Sequence, residues 1–152
     1  MPPQKIPSCR NIFAAACLSA GAMLATLSAQ ATAAEITLYE RLGGEPVIVK
    51  FVDETIDLTT NDPKTKRSFD KVNLVNLKKK IVEHICELSH GPCKYSGDPM
   101  KLVHKGLDIP ESEFYGMVEH LRTALNHSGV SEGAKNELLK ILAPMKRDIV
   151  TK

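Results

Sequence analysis

Apolar side chains recur every three or four residues in each long segment of the chain from residue 35 to the end. The clearest stripe consists of Leu74, Leu77, Ile81, Ile85 and Leu88, with charged side chains between them. This spacing matches the 3.6-residue turn of an α-helix and places the apolar residues on one face. Nothing after residue 34 has the alternating pattern of a half-buried strand. The chain after residue 34 is therefore predicted to be all-α.

Glycine and proline separate the predicted helices. Gly43 and Gly44 end the first helix, and Pro46 suits the first turn of the second. We predict helices at 38–42, 46–60, 73–88, 100–106, 110–125 and from 131 onward, the last kinked at Pro144, with a loop at 89–99 and an irregular segment before Phe69. This is a sparse packing arrangement, which suggests that something other than side chains fills the centre.

Residues 1–34 have the features of a cleavable secretory signal. They contain no acidic residue, only Lys5 and Arg10 as basic residues, an apolar stretch from Ile12 to about Leu27, and small residues up to Ala34. The stretch is short for a membrane span, which needs about 20 apolar residues. We therefore predict a signal at 1–34, a folded domain at 35–152, a periplasmic or secreted location, and no stable membrane insertion after cleavage. The alternative is an uncleaved anchor.

The predicted mature chain is electrically balanced. It keeps all 18 acidic residues and loses two of the 20 basic ones, so its formal charge is zero with histidines neutral. A neutral domain lacks the basic surface that binds nucleic acid, so we expect no nucleic-acid partner.

The cysteines restrict the chemistry. Cys9 and Cys17 leave with the signal, so Cys86 and Cys93 remain and are predicted to form a disulfide bond in an oxidising compartment. A redox switch is the alternative role. Two thiols alone cannot make a four-ligand zinc site, and the absence of a Cys-x-x-Cys-His motif excludes c-type haem attachment.

One of the five histidines stands out by its surroundings. His104 lies in a short predicted helix beside Leu102, Val103 and Leu107, after a glycine-rich loop. An imidazole on an apolar face suits a single bond to the iron of a flat apolar cofactor. Surface or structural positions are expected for His90, His120 and His127.

Three runs of sequence carry a resemblance to a known family. They are LYERLGG at 38–44, GPCKYSGDPM at 91–100 and KLVHKGL at 101–107, and the pattern Tyr95-x-Gly97-x-x-Met100-x-x-x-His104 is the most specific part. The chain resembles the group 1 truncated haemoglobins from residue 36 to about 150. The resemblance implies a two-over-two helical sandwich around haem b, with His104 as the proximal iron ligand. It also implies that the haem is contacted by Phe69, Leu77, Ile81, Tyr95, Met100, Phe114 and Val118.

The residues expected on the distal side of the haem, opposite His104, depart from the family pattern. Members that bind oxygen usually place a tyrosine on the second helix and a glutamine on the helix that faces the haem. An ungapped count back from His104 places these positions at Ile56 (or Thr55) and Ile81. Isoleucine cannot donate a hydrogen bond and Thr55 could do so only weakly. The sequence therefore argues against tight oxygen storage.

Lys80 and His84 are the candidate distal groups. Lys80 lies 24 residues before His104, where some members carry a sixth iron ligand, either lysine or histidine. Lysine must lose a proton to bind iron, and burial would lower its pKa. Alternatively Lys80 turns to solvent or pairs with a haem propionate. His84, one turn further along, is a candidate distal donor or ligand.

These features predict a haem protein that binds a diatomic gas, oxygen or nitric oxide. Nitric oxide dioxygenation is one such activity, and it would need an unidentified reductase as a partner. The alternative is a six-coordinate haem protein for electron transfer, haem sensing or haem carrying, without catalysis.

Overall fold

The computed structural model describes residues 35–152, and the predicted signal at 1–34 lies outside the described residues. The helices are α1 (Leu38–Arg41), α2 (Gly44–Asn61), α3 (Leu74–Leu88), α4 (Met100–Val103), α5 (Glu111–His127), α6 (Glu132–Leu142) and α7 (Lys146–Ile149), with 3-10 helices at Lys66–Phe69 and Ala143–Met145. No strand occurs between residues 35 and 152, so the all-α prediction is confirmed. None of the helices in this range is long and apolar enough to cross a membrane.

Side-chain caps explain where several helices begin. The Asn73 side chain accepts a hydrogen bond from the backbone N–H of Asn76 at the start of α3, and the Ser131 side chain accepts one from Ala134 at the start of α6. Thr37 forms a reciprocal pair of such bonds with Glu40 in α1. Each bond satisfies an N–H group that has no partner within its helix. The predicted starts of the third and last long helices are thus confirmed.

Several helix ends differ from the predictions by one or two residues, and three local features differ in detail. The segment before Phe69, predicted to be irregular, contains the 3-10 helix Lys66–Phe69. Helix α4 ends at Val103 rather than at Gly106, so that His104 caps the helix instead of lying inside it. The kink predicted at Pro144 takes the form of a 3-10 turn between α6 and α7, because proline has no N–H to continue the α-helical ladder.

Helix α2 is the centre of the packing and contacts both α3 and α5. Its Ile48, Phe51 and Ile56 side chains are completely buried. They pack in one cluster with Leu125 of α5 and Leu138 of α6. Burying such side chains stabilises the fold by about 1.5–3 kcal/mol each.

Candidate functional site

A cavity of about 790 Å³ is lined by α2, α3, α4, α5 and the C-terminal helices. Its volume falls within the roughly 300–1,000 Å³ of pockets that hold small molecules and cofactors. The cavity brings together every residue that the sequence predicted to bind the cofactor or its iron: Phe69, Leu77, Lys80, Ile81, His84, Tyr95, Met100, His104, Phe114 and Val118. Their contacts with a haem stay a prediction.

His104 has the orientation expected of a metal-binding histidine. Its Nδ1 atom lies 2.8 Å from the carbonyl oxygen of Met100, one turn earlier in α4. A carbonyl oxygen can only accept, so Nδ1 donates the hydrogen of this bond, which leaves Nε2 as the ring nitrogen that can bind a metal. Metal-bound histidines are typically held in place by such a bond from the other ring nitrogen. Nε2 of His104 is therefore free to bind an iron atom.

Ile56 and Ile81 occupy the two positions that tyrosine and glutamine usually fill in the family. Neither side chain can donate a hydrogen bond. Ile56 is fully buried, and Ile81 is partly buried on α3; both line the cavity. The hydroxyl of Thr55, expected to be a weak donor, donates at 2.6 Å to the carbonyl oxygen of Phe51 in its own helix. The cavity wall formed by these residues is therefore apolar.

Lys80 is held by two polar neighbours. Its Nζ atom lies 3.2 Å from a carboxylate oxygen of Glu83 and is hydrogen-bonded to the hydroxyl of Ser96. The Ser96 hydroxyl also donates to Glu83, at 2.7 Å. The bonds from Ser96 and Lys80 lower the pKa of Glu83, which keeps its negative charge beside the ammonium. Ligation by Lys80 stays a prediction, but it requires Lys80 to leave both partners and to lose a proton.

His84, unlike Lys80, makes no hydrogen bond through its side chain. Both of its ring nitrogens are buried, and neither has a hydrogen-bond partner. Burial lowers the pKa of His84, against the opposing effect of the negative charge of Glu87, so the ring is neutral near pH 7. Its ring packs on that of Tyr95 with 4.5 Å between the centroids.

An unpartnered buried nitrogen costs about 1–3 kcal/mol of stability. The apolar walls and the Nε2 atom of His104 fit a flat, apolar, iron-containing group such as haem.

Three contacts fasten α3 to the loop that leads to His104. Cys86 and Cys93 are joined by a disulfide bond, Lys80 and Glu83 bind Ser96, and His84 packs on Tyr95. The contacts with Ser96 were missed by the sequence analysis. They depend on the path of an irregular loop, for which the sequence contains no periodic signal.

Comparisons with known proteins agree with this geometry. Residues 37–151 match the family model described as bacterial-like globin. The chain is 32% identical to the group 1 truncated hemoglobin GlbN of Mycolicibacterium paratuberculosis over 76% of this chain and 85% of that protein. It is 29% identical to the GlbN of Nostoc commune, over 76% of this chain and 98% of the relative.

Among solved structures, the truncated hemoglobin of Tetrahymena pyriformis in its Fe(III) form superposes with a TM-score of 0.72 at 28% identity. The match covers 76% of this chain and 99% of that one. The predicted two-over-two globin fold is confirmed by this likeness.

Proposed function

Because the chain belongs to the bacterial-like globin family as a truncated haemoglobin, we propose that it holds haem b through His104 and binds a diatomic gas at the iron. Membership of this family implies haem-based ligand binding. The proposal adds the identity of the haem, the iron ligand and the class of gas.

The bond between His104 and the Met100 carbonyl carries the proposal. It fixes which ring nitrogen is free and prevents the imidazole from rotating away from the cavity. Phe69 and Phe114 line the same cavity and would exclude water from a flat apolar group. His104 would hold the haem, and the bound haem would supply an iron atom that can bind a small gas ligand.

The apolar wall favours nitric oxide over oxygen storage. Oxygen gains negative charge when it binds ferrous iron and is retained by a hydrogen-bond donor, whereas nitric oxide depends less on one. Ile56 and Ile81 cannot donate, and the hydroxyl of Thr55 is engaged by Phe51. We therefore propose fast oxygen release together with firm retention of nitric oxide.

Gas kinetics on the mature protein loaded with haem b test this proposal. Oxygen should dissociate at least several-fold faster from the protein as it stands than from Ile81→Gln, which restores a donor on α3. Ile81→Leu is the matched control and should resemble the unchanged protein. Slow oxygen release that is unaffected by Ile81→Gln would contradict the proposal.

We also propose that the domain works outside the cytoplasm. The composition of residues 1–34 supports this location. The Cys86–Cys93 disulfide supports it as well, because structural disulfides persist mainly in oxidising compartments.

A six-coordinate haem protein for electron transfer or haem sensing is the second candidate function. It is favoured by one observation, the presence of the His84 side chain among the residues that line the cavity.

A further inference from the structure

We infer that Arg67 is a positioning residue for His104: its guanidinium holds the chain that follows the histidine and thereby keeps the imidazole within bonding distance of the iron. The inference rests on the proposed function, since it assumes a haem held by His104. Arg67 does not line the cavity, so it would act through the groups that it binds and not on the haem itself.

The segment that Arg67 binds is the corner of residues 104–110, which joins α4 to α5. His104 caps the end of α4, and its carbonyl oxygen accepts a hydrogen bond from the backbone N–H of Leu107 at 3.2 Å. Gly106 and Asp108 follow with positive φ values of 78° and 49°. Asp108 therefore has a backbone conformation that favours glycine. A corner of this shape depends on contacts from outside the segment to keep a single conformation.

Arg67 provides such contacts through a planar set of N–H donors. Its Nη1 atom donates to the carbonyl oxygen of Leu107 at 3.2 Å, and its Nη2 atom donates to that of Asp108 at 3.0 Å. Nε and Nη2 also donate to the two carboxylate oxygens of Glu113, at 2.8 and 3.1 Å. The guanidinium is rigid and keeps its charge, so one side chain joins the corner to the first turn of α5.

Glu113 connects these contacts to the aromatic residues of the cavity. Its side chain is only 11% exposed, and its carboxylate also accepts a hydrogen bond from the Ser68 hydroxyl. Ser68 directly precedes Phe69, and Glu113 directly precedes Phe114. Both phenylalanines line the cavity. The network around Arg67 therefore joins the chain next to His104 to both of them.

Loss of these contacts should displace His104 without unfolding the domain. The Arg67 side chain is 53% exposed, and exposed ion pairs contribute little to stability. The bond to the Met100 carbonyl orients the imidazole ring, whereas the corner determines where the end of α4 lies. A metal ligand must be held within about 0.5 Å of its productive position, so a small movement of this corner would weaken the bond to iron.

The mature protein loaded with haem b is used to test the inference, through the rate of haem loss and the electron paramagnetic resonance spectrum of its ferrous nitric oxide complex. Nitric oxide weakens the iron–imidazole bond opposite to it, so a displaced His104 leaves the iron more readily. In Arg67→Met, both the rate of haem loss and the fraction of complexes without the imidazole bond should rise at least several-fold. Arg67→Lys keeps the charge but not the planar donors, and should show a smaller rise.

Two further variants separate positioning from a general loss of stability. Arg41→Met is the matched control, because Arg41 pairs with Glu137 at 2.6 Å and makes no hydrogen bond to the corner. It should change neither measurement. Arg67→Met/Glu113→Gln removes the carboxylate charge that Arg67→Met leaves without its cation. It should still show the several-fold rises, because the corner carbonyls have lost the same donors.

Hydrogen–deuterium exchange of the haem-loaded protein observes the corner itself. The backbone N–H of Leu107 should exchange several-fold faster in Arg67→Met, because its bond to the His104 carbonyl opens more often when the corner is released. The same N–H should exchange at an unchanged rate in Arg41→Met.

Three results would overturn the inference: haem loss and nitric oxide spectra that are unchanged in both variants carrying Arg67→Met, equal changes in Arg41→Met, or unchanged exchange of the Leu107 N–H. A failure of the proposed function is separate and visible with the same methods. It would appear as haem binding that is unaffected by His104→Gly, whereas failure of the Arg67 inference leaves the dependence on His104 intact.

Discussion

Removing the Cys86–Cys93 disulfide should lower the free energy of unfolding of the cofactor-free domain by about 2.4 kcal/mol. The two cysteines are seven residues apart, and this magnitude is the chain entropy at 25 °C that a cross-link of about that length removes from the unfolded state. For a domain of this size, such a loss corresponds to a fall in Tm of roughly 10 °C. Cys86 is fully buried, so alanine is the suitable replacement, because serine would add a buried hydroxyl.

The assay is urea unfolding of residues 35–152, followed by circular dichroism, for the unchanged protein and for Cys86→Ala/Cys93→Ala. A thiol reductant provides the control. The reductant should lower the urea midpoint of the unchanged protein to that of the double variant. The urea midpoint of the double variant should not change. Two results would refute the reasoning. One is that both proteins have the same urea midpoint without reductant, and the other is that the reductant lowers both midpoints by the same amount.

Further predictions concern packing, pH and processing. A Cβ atom on Gly116 would lie 2.5 Å from Cγ2 of Thr65, so Gly116→Ala should destabilise the fold by about 1–3 kcal/mol. Thr65→Ser, which removes that methyl group, should recover part of this loss in urea unfolding; a further loss would contradict the clash. Burial lowers the pKa of His84 from 6.5, and Glu87 opposes the shift only partly. The stability associated with neutral His84 should therefore be complete above about pH 6.5 and decline as the pH falls below it. Unfolding midpoints at pH 7.5 and 5.5 should differ less in cofactor-free His84→Leu than in the unchanged protein, and equal differences would count against the burial argument. Finally, mass spectrometry of the exported protein should find Glu35 as its first residue, and an intact N-terminus would contradict signal cleavage.

Local sequence signals were sufficient for much of the fold. Helix α3 was predictable because its apolar stripe and its Asn73 cap depend only on neighbouring residues. That His104 lines the cavity agrees with the prediction made from its apolar surroundings and from the motif around it, while its role as the iron ligand stays a prediction. These features reflect helix geometry and side-chain chemistry within a few residues of one another.

The polar contacts of the site were not predictable in the same way. Whether Lys80 or His84 has a partner depends on where the 89–99 loop places Ser96 and Tyr95. That loop has no periodic pattern, and its position is determined by contacts between residues distant in sequence. The engagement of Thr55 with Phe51 was likewise visible only once the side-chain rotamer was known.

The role of His104 is tested most directly by the rate of haem loss and the absorption spectrum of His104→Gly, with and without added imidazole. His120→Ala is the matched control, since His120 pairs with Asp62 and does not line the cavity. The account predicts an altered spectrum and faster haem loss for His104→Gly, both restored by imidazole, and no change for His120→Ala. A His104→Gly protein with the original spectrum and the original rate of haem loss would contradict it.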